Sequence, residues 1–306
     1  MSDTSRRTFL KTTLGAAAAA GFYCAGEVSA SRPNILFVIA DDWSWVHSRI
    51  AGCKAVETPN FDRVAQKGVL FNNAYCSAPS CAPSRASILT GRNGWELEQG
   101  AVLWGQFPAR YPVYPDILEK HGYHVGSTGK GWAPGSIEDS GWTHNPAGKG
   151  YNDIRQRPWT EFGVTDEMYD VDYAANFKIF LNDRAADQPF CFWLGTLEPH
   201  RAYARGLGKR RGKDPDAVSV PGFLPDTPEV RSDILDYLSE VEWVDLQLGR
   251  VLKTLEENGE LDNTLIVVTS DNGMPFPRAK ANLYEYGTHM PLAVCWGDRI
   301  KGGRTV

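Results

Sequence analysis

The sequence lacks two features that would place the protein in a membrane or on a nucleic acid. The apolar run from Leu14 to Phe22 is shorter than the ~18 residues that a membrane-spanning helix needs, and no other stretch approaches that length. A basic surplus is also missing, since the net charge is −5, whereas nucleic-acid-binding proteins need positive charge against the phosphates. We therefore expect no membrane span and no nucleic-acid partner.

Cysteine is scarce, and the number of cysteines outside the N-terminal thirty residues is odd. The chain has 6 cysteines, and Cys24 lies in an N-terminal segment with the composition of a targeting sequence. The others are Cys53, Cys76, Cys81, Cys191 and Cys295. An odd number cannot be paired completely within one chain, so at least one thiol stays free or has another task.

The first thirty residues have the pattern of an export signal. Paired arginines occur in "SRRTFLK" (5–11), a short apolar run follows, and the small residues of Val28–Ala30 resemble a cleavage site. We predict a twin-arginine signal peptide at residues 1–30 and a mature domain at residues 31–306. The Tat translocase would then export the protein to a periplasmic or extracellular location. This route carries folded proteins, so the cysteines would first meet a reducing cytosol.

Four apolar runs predict buried parallel strands. They are rich in β-branched and aromatic residues and do not alternate with polar ones, as is typical of strands covered on both faces. The runs are residues 34–40, 123–128, 190–196 and 264–270. A further strand is predicted at residues 291–296, with nothing after it to cover it.

Helical patterns lie between the strand runs. Residues 58–68 and 115–122 each have a proline near the start and a glycine at the end. The longest pattern begins at Thr227 and ends at Gly259, with apolar residues every three or four positions. The alternation of strands and helices predicts an α/β fold, with a mostly parallel central sheet flanked by helices.

Two cysteines stand in different settings in the stretch "CSAPSCAPSRASILTGR". Only Cys81 begins a C-x-P-S-R frame, and a proline two residues on suits the first turn of a helix. A helix that starts there has Cys81 at its N-terminus, Arg85 one turn above on the same face, and Gly91 as C-cap. A helix N-terminus combined with an arginine fits an anion or an oxyanion. The alternatives are a small buried thiol or half of a disulfide.

Polar side chains follow the carboxyl ends of the four predicted strands, where ligands bind in open α/β sheets. In chain order these residues are Asp41, Asp42, Lys130, His200, Asp271 and Asn272. The oxygen donors among them suit a hard divalent cation, Ca²⁺ or Mg²⁺. For any one strand end the alternative is an ordinary turn, where Asp and Asn are common. Acidic residues at two strand ends, together with a cysteine at a helix start, favour a site.

The order of short motifs makes a resemblance specific. From the N-terminus the motifs are "ADD", "TPNFDRVAQKGVLFNNAY", "CAPSRASILTGR", "TGKG", "EPH", "SDNG" and "NLYEYGTHMPLAV". In this order they resemble the type I sulfatases of the alkaline-phosphatase-like superfamily, over residues 33 to about 297. The stretch "SDNGMPFPRAKANLY" is most similar to the sulfamidases, which are N-sulfoglucosamine sulfohydrolases (heparan N-sulfatases). The resemblance implies an alkaline-phosphatase-like fold and a sulfatase catalytic domain at residues 31–306.

The resemblance also implies a modified residue and a metal. A formylglycine-generating enzyme would oxidise Cys81 to formylglycine, whose hydrate attacks the sulfur of a sulfated saccharide. Cys76 would be a bystander. One Ca²⁺, with Mg²⁺ as the alternative, would be bound by residue 81 together with Asp41, Asp42, Asp271 and Asn272.

Further roles follow from the same resemblance. Arg85 would hold the hydroxyls of residue 81, and Lys130 and Lys280 would contact the sulfate oxygens. His200 would protonate the departing amine or alkoxide. Family members commonly have K-x-H at the Lys130 position, whereas this chain has Trp132. Either another group assists sulfate expulsion, or that step is slower.

Two further features have open interpretations. His289, in "EYGTHMP", is either a pocket residue or a hydrogen-bonded structural histidine. Residues 201–213 carry a run of Lys and Arg just after His200. That run is either a solvated loop or a subsite for an anionic saccharide.

Three alternatives stay open beside a sulfamide hydrolase for an N-sulfoglucosamine-type sugar. An O-sulfatase for another sulfated glycan or an aryl sulfate would keep the same catalytic residues. A phosphoester or phosphonate hydrolase would share the fold. A non-catalytic remnant is the third, because sulfatases of this type usually continue with a small C-terminal subdomain that often lines the pocket. That subdomain is expected to be missing here.

Overall fold

The computed structural model describes residues 32–155 and 168–306. The predicted signal peptide, residues 1–30, lies outside the described residues. The strands are β1 (Asn34–Ala40), β2 (Val69–Leu70), β3 (His124–Gly129), β4 (Lys149–Gly150), β5 (Phe190–Gly195), β6 (Thr264–Ser270), β7 (Leu292–Cys295) and β8 (Arg304–Thr305).

Helices connect these strands. The α-helices of the described part are α1 (Pro59–Lys67), α2 (Cys81–Thr90), α3 (Tyr114–Lys120), α4 (Tyr173–Asn182), α5 (Leu207–Arg210), α6 (Pro228–Glu257) and α7 (Glu285–Thr288). Short 3₁₀ helices cover Gly94–Glu96, Glu98–Ala101, Pro215–Ala217 and Leu261–Asn263. Within this part of the chain, no helix combines the length and the apolarity needed to span a bilayer.

The signals at the ends of α2 and α6 act as the sequence predicts. Helix α2 starts at Cys81 and is followed by Gly91 in the left-handed conformation, with φ 67°. The N–H of Gly91 donates to the carbonyl oxygen of Ser87. Helix α6 is capped by Thr227, whose hydroxyl accepts a hydrogen bond from the N–H of Val230 at 3.4 Å.

The described strands form one sheet in the order β4-β3-β5-β1-β6-β7-β2-β8. From β4 to β6 the neighbours are parallel, whereas β7 is antiparallel to both β6 and β2. The register pairs Ala40 of β1 with Ser270 of β6, and Gly129 of β3 with Gly195 of β5. Because these partners are the last residues of their strands, the segments that follow them meet at one edge of the sheet.

Helices cover both faces of the sheet. Helices α1, α4 and α6 pack on one face through a large apolar cluster that contains Phe61 and Phe177. On the other face, apolar residues of α2 form a second cluster with Ile39, Trp132 and Trp193. Burial on both faces explains why the central strands are continuously apolar, and the predicted α/β fold with a mostly parallel sheet is confirmed.

The predicted strand bounds are correct for β1 and β6 and differ by one residue at the ends of β3 and β5. The strand predicted at residues 291–296 is shorter, at Leu292–Cys295. Earlier segments of the chain cover this strand, since β2 pairs with its outer edge and α1 packs against it. The later strand β8 pairs with β2. Two-residue strands such as β2 and β8 are too short for a periodic pattern to reveal them.

Candidate active site

Four neighbouring strands deliver polar side chains to one edge of the sheet. Asp41 directly follows β1, and Asp271 directly follows its parallel neighbour β6. Lys130 directly follows β3, and His200 lies a short turn beyond β5. The carboxyl ends of parallel strands therefore place residues from four distant parts of the sequence side by side.

Three buried carboxylates form the centre of the site. Carboxylate oxygens of Asp41, Asp42 and Asp271 lie within 4.8 Å of one another, and all three residues are buried. Successive side chains of a strand point to opposite faces. Asp42 departs from the strand with a left-handed backbone, φ 81°, and its N–H donates to Oδ1 of Asp271 at 3.1 Å. This turn allows two consecutive carboxylates to reach the same place.

The carboxylates differ in their protonation equilibria. Burial raises the pKa of Asp42 and of Asp271, and the neighbouring Asp41 carboxylate raises both further. Burial also acts to raise the pKa of Asp41, but the cations of Lys130 and Arg85 outweigh it and hold that pKa well below its usual range. Burial and mutual repulsion therefore disfavour the charged forms of Asp42 and Asp271, and a bound cation would stabilise those charged forms.

Two lysines contact the carboxylates. Nζ of Lys130 forms an ion pair with Oδ2 of Asp41. Nζ of Lys280 lies 2.7 Å from Oδ1 of Asp42, so the structure brings this loop residue to the site. Asn272 donates from Nδ2 to Oδ1 of Asp42 at 2.7 Å. Its own Oδ1 is buried without a hydrogen-bond partner among the described residues.

Cys81 faces this cluster from the N-terminus of α2. The side chain is buried, and Sγ donates to Oδ1 of Asp41 at 3.3 Å. Burial raises the pKa of Cys81 to about 12, and the carboxylates of Asp271 and Asp41 contribute to the rise. A thiol that stays protonated is a weak nucleophile, so the unmodified cysteine is poorly suited to covalent catalysis.

Arg85 lies one turn further along α2 and is fully buried. Its Nε donates to Oδ2 of Asp271 at 2.8 Å, and Nη1 donates to the backbone oxygens of Lys130 and Gly131 at 2.5 and 3.1 Å. Nη2 has no hydrogen-bond partner among the described residues. The guanidinium thus fixes the start of the loop after β3 and keeps one donor for an oxygen atom near residue 81.

His200 is held with one nitrogen toward the carboxylates. Nδ1 donates to the backbone oxygen of Arg201 at 2.5 Å, and Nε2 lies 3.9 Å from Oδ2 of Asp42. Burial lowers the pKa of His200, and the Asp41 carboxylate partly opposes this effect. A lowered pKa makes the protonated imidazole a stronger acid, as protonation of a leaving group requires.

A cavity of about 470 Å³ opens over these residues. Its polar wall contains Asp41, Cys81, Lys130, His200 and Lys280. Other lining residues were not predicted from the sequence, namely Leu103, Trp104, Asn145 and Tyr169. They lie outside helices and strands, where no periodic pattern exists.

Trp132, which stands where the family commonly has a histidine, does not line this cavity. Its side chain is buried against Phe107, with ring centroids 5.6 Å apart. Its backbone N–H and carbonyl oxygen are held by the side chain of Asn145 at 3.0 and 3.1 Å. This position therefore holds the loop in place and supplies no group for proton transfer.

His289 has a structural environment. Its Nδ1 lies 2.9 Å from a carboxylate oxygen of Glu285, and Nε2 donates to the backbone oxygen of Asn72 at 2.6 Å. The ring stacks between Trp45 and Tyr75, with centroid distances of 4.2 and 4.5 Å. The structure supports the interpretation as a hydrogen-bonded structural histidine.

Much of the basic run at residues 201–213 is tied to helix α6. Arg201 pairs with Asp233 at 2.7 Å, and both Arg211 and Lys213 pair with Glu242. These pairs favour a structural role for the run over a free cationic subsite beside His200.

The described cysteines are unpaired. Cys53, Cys76, Cys81, Cys191 and Cys295 are all free. Cys76 lies outside the carboxylate cluster, with Sγ 3.9 Å from the backbone oxygen of Gly287. A disulfide therefore does not explain the two cysteines of "CSAPSC". Sγ of Cys81 lies within 4.8 Å of ligand atoms of Asp41 and His200, whereas Cys76 belongs to no such group among the described residues.

The donor set fits a hard cation. Three carboxylates converge, and the orphaned Oδ1 of Asn272 supplies a further oxygen close to them. An oxygen-only set is typical of Ca²⁺ or Mg²⁺, whereas zinc sites use nitrogen and sulfur donors as well. The side chains of Lys280 and Asn272 both contact the Asp42 carboxylate. An ion bound by Asp42 would replace part of these contacts.

The chain is similar in sequence and in structure to several known proteins. Human N-sulphoglucosamine sulphohydrolase is 31% identical over 299 residues, which cover 86% of this chain and 55% of that protein. An N-acetylglucosamine-6-O-sulfatase from Bacteroides thetaiotaomicron is 28% identical over 90% of this chain and 64% of that protein. A structure solved in complex with its substrate, D-glucosamine-2-N,6-O-disulfate, matches with a TM-score of 0.67 at 23% identity. The match covers 90% of this chain and 73% of that one.

The chain thus spans 55% and 64% of the length of these two curated relatives. The family model described as Sulfatase matches residues 33–305. This range includes every strand of the sheet and every residue of the carboxylate cluster. The chain belongs to the sulfatase family.

Proposed function

We propose that this protein is a formylglycine-dependent sulfatase that releases sulfate from an N-sulfoglucosamine-type saccharide. One observation carries the proposal: Asp41, Lys130, His200 and Lys280 converge with Cys81 on a single cavity. This set offers a position for a nucleophile, two cations for an anionic group and an acid for the leaving group. Similarity to an N-sulphoglucosamine sulphohydrolase supports the choice of an N-sulfated sugar.

Two groups that the polypeptide itself lacks would complete the site. A formylglycine at position 81 supplies, when hydrated, two hydroxyls on one carbon, of which one can attack sulfur and the other can allow sulfate to leave. A Ca²⁺ ion held by Asp41, Asp42, Asp271 and Asn272 supplies positive charge beside the nucleophile and the sulfate.

The side chains around position 81 define the remaining chemistry. Lys130 and Lys280 line the cavity and would bind sulfate oxygens, so they stabilise negative charge that grows in the transition state. The free Nη2 of Arg85 would hold an oxygen at position 81. His200, with Nδ1 fixed on a backbone carbonyl, presents Nε2 for transfer of a proton to the departing amine.

The location remains part of the proposal. The twin-arginine pattern at residues 5–11 supports export by the Tat translocase to a periplasmic or extracellular site. Modification by a formylglycine-generating enzyme could then be completed in the cytosol, before the folded protein leaves.

A substrate comparison tests the function. The protein, produced with a formylglycine-generating enzyme, should release sulfate from N-sulfoglucosamine, measured by ion chromatography. N-acetylglucosamine 6-sulfate, an aryl sulfate and an aryl phosphonate serve as comparison substrates. Turnover of the O-sulfate alone would favour the O-sulfatase alternative, and turnover of the phosphonate alone would favour a phosphonate hydrolase. A correctly modified protein that releases sulfate from none of them would contradict the proposal.

Removal of divalent cations should abolish sulfate release and destabilise the protein. Without a cation, the buried carboxylates of Asp42 and Asp271 repel Asp41. At a hundredfold excess over its dissociation constant, a ligand stabilises the native state by about 2.7 kcal/mol. We therefore expect EDTA to lower the melting temperature by several degrees, and Ca²⁺ to restore both stability and activity. Stoichiometric zinc in elemental analysis, or full activity in EDTA, would contradict the oxygen-only cation site.

A further inference from the structure

The cavity over the carboxylates has two chemically different parts. Its inner wall carries the charged groups around Cys81, whereas Leu103, Trp104 and Tyr169 line it with apolar and aromatic surface. A sulfated sugar has the same division, since a compact anion is attached to a ring whose faces carry C–H groups. The charged wall suits the sulfate. The residues of the aromatic wall take no part in the proposed reaction at sulfur.

Trp104 is unusually exposed for its residue type. Its exposed fraction is 75%, and the adjacent Leu103 is exposed to 40%. Among the described residues, its ring stacks on no other aromatic ring. Large indole rings normally bury their surface in a core or an interface. An exposed indole in the wall of a functional cavity therefore indicates a surface that a ligand covers.

The backbone at Trp104 is held in a conformation that a bulky residue rarely adopts. Its φ is 64°, in the left-handed region, which is an uncommon position for a tryptophan. A conformation of this kind persists only where the surroundings enforce it, and such positions are concentrated at functional sites. Trp104 combines this uncommon backbone conformation with a place in the cavity wall.

The turn that carries Trp104 is built into the site. The N–H of Gly105 donates to the carbonyl oxygen of Val102 at 2.9 Å. A Cβ at Gly105 would lie 2.2 Å from the carbonyl oxygen of Gln99, so glycine is required there. A Cβ at Gly135 would lie 2.9 Å from the carbonyl oxygen of Gly105. The turn therefore packs closely against the loop that follows Lys130, which holds the backbone of Trp104 beside the cavity.

Tyr169 adds a second aromatic ring to the same wall. It is exposed to 42%. Its pKa is raised by burial and further by the Asp41 carboxylate, which places its hydroxyl in the field of the catalytic cluster. Two aromatic rings in the wall of one cavity can both contact a single sugar.

We propose that Trp104 is a specificity-determining residue that stacks on the pyranose ring of the sulfated sugar, with Tyr169 contacting the same ring. This inference rests on the proposed function, because it requires that a sulfated sugar is the substrate. It assigns sugar binding to the aromatic wall and sulfate binding to the lysines. Loss of the indole should therefore weaken binding of the sugar without changing the reaction at sulfur.

A matched pair of tryptophan variants tests the proposal. Trp104→Ala should raise KM for N-sulfoglucosamine roughly tenfold, about the loss expected for one aromatic stacking contact with its buried area. Its kcat should change less than about twofold. Trp104→Phe, which keeps a ring, should restore most of the affinity. Trp95→Ala is the control, because Trp95 is exposed to 76% and lies outside the cavity wall.

Competitive inhibition by inorganic sulfate separates the two parts of the cavity. Sulfate binds only at the charged end, so its inhibition constant should be the same in Trp104→Ala and in the wild type. An unchanged KM in Trp104→Ala would overturn the proposal. Equal rises in KM for Trp104→Ala and Trp95→Ala, or a weakened inhibition by sulfate, would overturn it as well.

A binding measurement distinguishes failure of this inference from failure of the proposed function. Saturation-transfer NMR with the Cys81→Ala protein and N-sulfoglucosamine requires no turnover. We expect saturation transfer to the C–H protons of the sugar. The transfer should be lost in the double variant Cys81→Ala/Trp104→Ala and retained in Cys81→Ala/Trp95→Ala. Binding of this kind without turnover in the wild type would contradict only the function. Transfer that persists without Trp104 would contradict the stacking site.

Discussion

Cys81→Ser is expected to lower sulfate release by at least about 10⁴-fold, as is typical when a nucleophile is removed. Serine fits the space of the buried thiol, and its hydroxyl can still accept a sulfuryl group. It has no second hydroxyl on the same carbon, so a stable sulfate ester would remain on the enzyme. The rate of sulfate release, together with the intact mass of the protein after exposure to substrate, measures both consequences. We expect one added sulfuryl group per chain.

Cys76→Ser is the matched control for this substitution. Cys76 lies five residues earlier in the same segment, but it is absent from the cavity wall, and its Sγ donates to the backbone oxygen of Gly287 at 3.9 Å. We expect nearly unchanged activity. Thermal unfolding of both variants separates loss of function from loss of folding. Near-normal turnover by a stable Cys81→Ser protein would show that catalysis does not require the two hydroxyls of a hydrated formylglycine at residue 81.

His200→Ala is expected to affect two substrates very differently. An amine leaves far less readily than a phenolate unless it is protonated, so loss of the acid should slow N-sulfoglucosamine hydrolysis by ~10²–10⁴-fold. An activated aryl sulfate has a stable leaving group and should lose much less. The measurement is kcat/KM for both substrates with the wild type and the variant.

Lys130→Ala provides the comparison. Lys130 lines the cavity with Cys81 and pairs with Asp41. Under the proposed function it would act on the sulfate group that both substrates share. Its loss should slow both substrates about equally. Equal losses for both substrates in His200→Ala would remove His200 from the acid role, because an effect that ignores the leaving group does not concern its protonation.

The central part of the site could be predicted because it depends on strand ends. Continuous apolar runs define β1 and β6, and parallel pairing brings the residues after them together. Asp41 and Asp271 therefore become neighbours without any knowledge of the loops. The start of α2 at Cys81 was predictable for a similar reason, since a proline near the first turn and Gly91 at the end are local signals.

Other parts of the site depend on loop conformations that no local pattern specifies. Lys280 reaches Asp42 through an irregular segment after β6. Only the family resemblance assigned Lys280 to the site, as a contact of the sulfate oxygens. Glu198, in "EPH", is fully buried and accepts a hydrogen bond from the hydroxyl of Tyr173 at 2.7 Å. Burial raises the pKa of Glu198 to about 7. Nothing in the sequence marked it as a buried support for the segment before His200.

The aromatic wall illustrates the same limit. Trp104 lines the cavity because of a left-handed backbone and a glycine that packs under a neighbouring carbonyl. Both features arise from tertiary contacts between segments that are far apart in the sequence. Periodicity and capping signals describe single elements, so they miss a residue whose position is set by two loops packing together.

The chemical state of residue 81 tests the central claim most directly. Trypsin should release residues 68–85 as one peptide that contains both Cys76 and Cys81, so Cys76 is an internal control. In a preparation that releases sulfate, tandem mass spectrometry after thiol alkylation should find Cys76 alkylated. At position 81 it should find an aldehyde, lighter than cysteine and resistant to alkylation. An active preparation in which residue 81 is alkylated like Cys76 would contradict formylglycine-dependent catalysis by this protein.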